Sequence, residues 1–433
     1  MTPPSIFNDV LGPVMRGPSS SHSAASLRIG RLARDLMGGT LTEVLVEYDP
    51  DGSLVTTHES QGSDLGLFGG LLGWDTDDER LPEYREEIAK AGIEVDIRYI
   101  RFGAEHPNTY KLTLRNREEE RTMRAISTGG GMIVVEEIEG AEITMEGDYW
   151  ETLVFLSDRA ACDRILDQLR TGFSFEDVRA IPGRQEVILE IKSRSPVGEG
   201  LLKELGSNPA VSAVRVLHPV LPVLARRNLS VPWLRASDME HYWREQGGTL
   251  TLGDLGAIYE SERGGIPIEE VRARMADLVT TMERSVAAGL EGTSYHDRIL
   301  PSQSPRFAEK MEAGALVPGD VLNRIIMYVS SMMEMKSSMG VIVAAPTAGS
   351  CGALPGAVLG VADVLGKSPE ERVEAMLAAG MIGVFIAAHS TFAAEVAGCM
   401  AECGSGAAMA AAGIVLLMGG DFEQQMGAAS MAL

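Results

Sequence analysis

At 433 residues the chain is too long for one ordinary hydrophobic core, and two or three domains are expected. Its 61 acidic and 38 basic residues leave a net charge of −23, which opposes attraction to phosphate backbones and anionic membrane surfaces, so neither nucleic acid nor membrane is expected as a partner. Four cysteines, at 162, 351, 399 and 403, do not make the dense framework of a small secreted domain, and the opening "MTPPSIFNDV" lacks the basic start and apolar core of a signal peptide. A reducing, cytoplasmic setting is expected.

In chain order, "MRGPSSSHSAAS" places Ser19, Ser20, Ser21 and His22 ahead of "SAASLRIGRLARDLMGG", which reads as an amphipathic helix ending at glycines. Hydroxyls and unpaired N–H groups at a helix start favour a carboxylate or phosphate. A simple N-cap explains one serine; three exceed that need, and His22 adds a group that moves protons near neutral pH. The runs "LTEVLVEYD", "VDIRYIRF", "YKLTLRN" and "GMIVVEEIEG" have the alternation and β-branching of half-buried strands. In "AEHPNTYK", His106 and Asn108 flank a proline at the entry to a strand; turn chemistry accounts for the proline and asparagine but does not call for the histidine. An α+β domain of about 145 residues follows.

From 150 to 218 the pattern changes to strand ("YWETLVFLS"), helix ("RAACDRILDQLRTG"), strand ("RQEVILEIKS"), helix ("EGLLKELGSN") and strand ("VSAVRVLHP"). That layout matches a small βαββαβ module whose first or last strand is ambiguous, and it resembles an ACT-type domain. Such modules often bind amino acids; a structural spacer has the same layout.

"PVLPVLARRNLSVPWLRASD" reads as a linker, and beyond about 250 the chain is helical, with no convincing strand. Its many methionines read as adaptable core filling. "VAAPTAGSCGALPGAVLG" is a Gly/Pro loop between helical runs carrying Thr347, Gly349, Ser350 and Cys351. It lets a ligand approach the backbone or simply connects two helices, and it lacks the P-loop lysine followed by Ser or Thr. "AMLAAGMIGVFIAAHSTFAAEVAG" is long and apolar enough to imitate a membrane span, but it carries His389 and Glu395. A second small-residue run, "GAAMAAAGIVLLMGG", follows, so the expected arrangement is a pair of central helices buried on all sides. Between them, "VAGCMAECGSG" sets Cys399 and Cys403 four apart, on one face if helical: ligands to a shared metal, or two small packing residues.

Taken together, "GPSSSH", "GLLGWDTDDERLP", "HPNTYK", "STGGGMIVV", "MGVIVAAPTAGSCGALPG" and "AGCMAECGSGAAMAAAG" resemble the bacterial iron–sulfur L-serine dehydratases, from about residue 5 to the last residue and in the order of a fused enzyme, beta-type region first. The resemblance implies a multidomain chain: an allosteric-substrate-binding-like α+β domain at 1–148, an ACT-like domain at 149–220, a linker at 221–249 and an all-α catalytic domain at 250–433. It also implies conversion of L-serine to pyruvate and ammonia with a 4Fe–4S cluster and without pyridoxal phosphate, an open iron polarising the substrate oxygens. By resemblance Ser19, Ser20, Ser21 and Asn108 handle substrate, as do Thr347, Gly349 and Ser350, while His22 is the expected proton carrier with His106 its rival.

Cys399 matches the family's "GCQ" cysteine, a cluster ligand, with Met400 in place of the glutamine, and Ser23 stands where threonine is common. In the family the helix resembling "EQQMGAASMAL" continues into "CDPV" and "PC" segments whose cysteines complete the cluster; this chain stops at Leu433, and a catalytic domain incomplete at its C-terminus is expected. Cys351, Cys399 and Cys403 offer a three-thiolate alternative that the resemblance does not support; Cys403 and Cys162 are expected to pack. A homodimer is expected, or a partner chain that completes the catalytic domain. Two other functions stay open: a serine-binding regulatory subunit without a cluster, and a related lyase acting on L-threonine or L-cysteine.

Overall fold

The computed structural model describes residues 2–295, 298, 301–398 and 400–433, with the side chain of Glu395 excepted. The N-terminal region carries the β-sheets and the C-terminal half is largely helical. Two compact units divide the chain: one comprises His22–Thr128 and Met132–Asn228, the other the segment ending at Ser21, Gly129–Gly131 and Leu229–Leu433.

In the first unit a six-stranded sheet runs in the order Glu94–Tyr99, Glu43–Tyr48, Thr109–Arg115, Glu120–Gly129, Met132–Ile138, Ala141–Met145. The outer pair Glu43–Tyr48 and Glu94–Tyr99 is parallel, whereas Glu43–Tyr48 with Thr109–Arg115 and Thr109–Arg115 with Glu120–Gly129 are antiparallel. Alternation decides the faces: Tyr110, Leu112 and Leu114 are fully buried, as are Val44 and Val46 beside them. The helix Ala25–Leu36 closes this core with Ile29, Leu32 and Leu36, as its apolar spacing predicts. It lies very close to the helix Ser63–Leu71, because a Cβ at Gly70 would stand 2.1 Å from the Leu27 carbonyl oxygen.

The second sheet of this unit is fully antiparallel, in the order Val211–Leu217, Trp150–Leu156, Val187–Ser193, Asp177–Pro182. With the helices Arg159–Gly172 and Glu199–Ser207 it makes a βαββαβ arrangement. Both the first and the last strand are present; the strand that pattern reading missed is the second, Asp177–Pro182. It lies at the sheet edge, is only partly buried and ends on a proline, so it lacks the apolar run that marks the other three. Val154, Leu156, Leu189 and Ile191 pack under the helices with Cys162, which has the packing role expected of it. Leu153, Phe155 and Ile188, one register position away, join the core of the six-stranded sheet.

The second unit is built of helices, among them Leu252–Gly264, Ile268–Glu291, Asp320–Ser337, Ala353–Val364, Pro369–His389, Met400–Leu417 and Phe422–Ala432. Ser368 caps Pro369–His389 in a capping box with Glu371, and proline at the first helical position adds no lost donor. Against the expectation of no strand beyond 250, Ile342–Val343 pairs antiparallel with Val14–Met15. The two long apolar helices pack on each other but are not buried on all sides: the most apolar windows of Pro369–His389 and Met400–Leu417 are 61% and 56% buried. Exposure begins toward the end of the first helix, where His389 lies open.

The N-terminal segment is part of this helical unit. A short turn, Ile6–Val10, is capped by Ser5, whose hydroxyl donates to Glu260 Oε1 at 2.5 Å, while the Ile6 N–H donates to Glu260 Oε2 at 2.7 Å. Tyr259 OH donates to the Pro4 carbonyl at 2.8 Å. Ile6 and Val10 lie over Gly380 and Gly383, where added Cβ atoms would meet them at 2.8 and 2.1 Å.

Candidate active site

In the helical unit the Gly/Pro run resolves into a turn at 346–352 that leads into the helix Ala353–Val364. Thr347 and Ser350 are buried, 3% exposed each, whereas Gly349 between them is exposed. Ser350 Oγ donates to the Ala345 carbonyl at 3.0 Å and accepts from the Thr347 N–H at 3.4 Å. Ser20 Oγ accepts from the Ala348 N–H at 3.3 Å, so the serine motif and this turn meet within one unit. Ser19 Oγ and Ser21 Oγ lie 3.1 Å apart. Among the described residues the N–H groups of Gly349 and Ser350 donate to nothing. Two open donors ahead of a helix start, beside hydroxyls, are the chemistry that takes a carboxylate. Gly130 lies beside this turn: a Cβ there would stand 3.8 Å from the Pro346 carbonyl oxygen.

Glu402, near the start of the helix Met400–Leu417, completes the turn. Thr347 Oγ1 donates to its Oε1 at 2.8 Å. Sequence reading passed over this acid, although a lone carboxylate in a run of small apolar residues is a signal.

The sheet-bearing unit holds both candidate histidines, His22 and His106. No side chain caps the helix Ala25–Leu36, so the serines ahead of it are not spent on capping. His22 is buried, and its Nε2 lies 3.1 Å from Thr57 Oγ1, which donates its own proton to the Ser53 carbonyl at 2.8 Å. A hydroxyl so committed accepts from the ring, which places the proton of neutral His22 on Nε2 and makes Nδ1 the basic nitrogen. Ser53 Oγ reaches the buried Asn108 Oδ1 and lies 3.3 Å from the Pro107 carbonyl. The Asn108 N–H donates to His106 Nδ1 at 3.1 Å, so in the neutral ring His106 carries its proton on Nε2.

His22, Asn108 and His106 are thus linked through Ser53 and Thr57, two residues of "DGSLVTTHES" with no motif to mark them. The same stretch supplies His58, whose Nδ1 lies 2.7 Å from Asp64 Oδ1 and whose Nε2 lies 2.7 Å from Tyr99 OH. Burial pushes the Asp64 carboxyl up, with His58 opposing.

Cys351 is fully buried with its Sγ 4.0 Å from Met333 Sδ, and burial pushes its thiol up to about 12. Cys403 is exposed, contrary to the expectation that it packs. It lies on the open side of the helix Met400–Leu417, whose buried positions include Ala401 and Gly404. Cys399 lies outside the described residues. No three His, Cys, Asp or Glu side chains among the described residues come together as a metal site. The described thiols therefore do not fit a three-thiolate cluster.

Comparison with known proteins gives this arrangement a family. Residues 113–433 match the model of the serine dehydratase alpha chain. The N-terminal region is similar to the probable L-serine dehydratase beta chain of Bacillus subtilis, 33% identical over 214 residues, 48% of this chain and 96% of that one. The L-serine dehydratase alpha chain of Peptoniphilus asaccharolyticus is 33% identical over 185 residues, 42% of this chain and 63% of that one. L-serine dehydratase TdcG of Escherichia coli is 37% identical over 441 residues, 96% of this chain and 80% of that protein. The chain belongs to the bacterial L-serine dehydratases, as a fused type with a beta-chain-like N-terminal region and its alpha-chain region at 113–433.

Proposed function

We propose that the chain deaminates L-serine to pyruvate and ammonia. The observation that carries this reading is the turn at 347–350: an exposed glycine with two open N–H donors above buried hydroxyls suits a small carboxylate. The N–H groups of Gly349 and Ser350 take the substrate carboxylate, and Ser19, Ser20, Ser21 and Thr347 furnish the surrounding hydroxyls. By family resemblance, His22 carries the α-proton and Asn108 and His106 handle substrate. The β-hydroxyl leaves as water on taking up that proton, giving aminoacrylate, which tautomerises to the imine and is hydrolysed to pyruvate and ammonia. The resemblance favours His22 as the base, with His106 its rival.

The family resemblance assigns a 4Fe–4S cluster with Cys399 as a ligand. Cys351 and Cys403 do not fit that role. The same reading assigns the names allosteric-substrate-binding-like and ACT-like to 1–148 and 149–220, 250–433 to the catalytic domain, and a cytoplasmic homodimer to the assembly. The test is 2-oxo acid formation from L-serine, L-threonine and L-cysteine by anaerobically purified full-length protein, with His22→Ala alongside. Pyruvate from L-serine, abolished in the folded His22→Ala variant, is expected. No 2-oxo acid from L-serine refutes the function, and near-normal turnover by His22→Ala moves the proton transfer to His106.

A further inference from the structure

Glu402 is placed as a receptor for positive charge. Thr347 Oγ1 holds its Oε1 at 2.8 Å, which orients the carboxylate, while Oε2 turns toward Gly349 so closely that a Cβ there would stand 2.5 Å from it. Oε2 accepts from nothing, and no Lys, Arg or His pairs with Glu402, among the described residues. Glu402 is thus a half-buried carboxylate, fixed in orientation, with one oxygen available to a cation. It faces the same exposed glycine whose N–H, with that of Ser350, is open to an anion. Open donors and an unpaired acceptor side by side are complementary to a zwitterion, in which a carboxylate and an ammonium share one carbon.

We propose that Glu402 receives the α-ammonium of the substrate and so selects α-amino acids over α-hydroxy acids; this rests on the reading of the turn as the serine carboxylate site. Gly349 is then the one residue type that leaves the carboxylate room to reach the ligand. Charge-assisted hydrogen bonds of this kind correspond to about ten- to a hundredfold in affinity.

The experiment is calorimetric binding of L-serine and of L-glycerate, its analogue with hydroxyl in place of ammonium, to the full-length protein and three variants. The wild type is expected to prefer L-serine. Glu402→Gln, which keeps the acceptor for Thr347 and loses the charge, weakens L-serine about ten- to a hundredfold and leaves L-glycerate unchanged or tighter. Glu402→Asp retains the preference, and Thr347→Val, which removes the donor that orients Glu402, weakens L-serine more than L-glycerate. A folded Glu402→Gln protein that keeps the wild-type preference, or that loses both ligands equally, overturns the assignment of Glu402 alone, since a merely structural role moves both affinities together. A wild type that binds neither ligand overturns the serine reading and this inference with it.

Discussion

The N-terminal turn delivers Ser19–Ser21 to the helical unit, so a change at its docking surface tests packing and function together. Gly383 lies on the buried helix Pro369–His389, and a Cβ there would stand 2.1 Å from Val10 Cγ1 and 3.1 Å from Met409 Cε. Met409 has the freedom to yield a little; Val10, fully buried and β-branched on a five-residue turn, does not. Overpacking costs about 1–3 kcal/mol, and so short a separation belongs at the upper end. Alanine returns about 1 kcal/mol of helix propensity, so Gly383→Ala should lose about 2 kcal/mol net. Val10→Ala alone forfeits two buried methyl groups, also about 2 kcal/mol. In the double variant the clash disappears while the helix gain stays, so its loss should fall about 2–3 kcal/mol short of the sum. Urea unfolding of all four proteins measures this cycle, and L-serine affinity should drop in Gly383→Ala and recover in the double variant. Additivity within about 0.5 kcal/mol would refute the contact and the argument built on it.

Brief iodoacetamide treatment of the native protein near neutral pH should modify Cys403 long before Cys351 or Cys162, because one thiol is exposed, the other two are buried, and the Cys351 thiol is pushed up to about 12. Peptide mass spectrometry reads the order, and equally fast labelling of Cys351 contradicts its burial. Glu260 is fully buried, and burial pushes its carboxyl up against the opposing Arg263, Ser5 hydroxyl and Ile6 N–H, with Asp9 adding to the rise. The folded chain thus keeps a proton that the unfolded chain sheds near 4.5, so stability should fall as pH rises from that value through the raised one. Urea midpoints across that window should slope downward in the wild type and less so in Glu260→Gln; equal slopes contradict the reading.

The regular elements were legible where pattern and burial coincide. The run "YKLTLRN" alternates because one face of Thr109–Arg115 meets the core and the other does not, and "SAASLRIGRLARDLMGG" stripes because only one face of Ala25–Leu36 is covered. The edge strand Asp177–Pro182 escaped because an edge needs less apolar surface, and Ile342–Val343 because two residues show no period. Nothing local in "MTPPSIFNDV" reveals that it docks on a helix some 370 residues later; the glycines at 380 and 383 record that crossing, yet in an Ala/Gly-rich run they read as general small-residue packing.

The site divides the same way. Residues whose type is costly or unusual for their surroundings stood out, as with three serines and a histidine before a helix, or a histidine beside a turn proline. The groups that give those residues a definite chemical state did not stand out, because they are ordinary residues recruited by proximity. Thr57 and Ser53 fix the tautomer of His22, the Asn108 backbone occupies the basic nitrogen of His106, and Glu402 orients against Thr347 from 55 residues away in the chain. Which of two histidines is the base is a question the motifs raise, and the hydrogen bonds that fix each ring's tautomer are ones they leave unmarked. One of those bonds comes from a backbone N–H, which every residue but proline carries and no sequence pattern can mark.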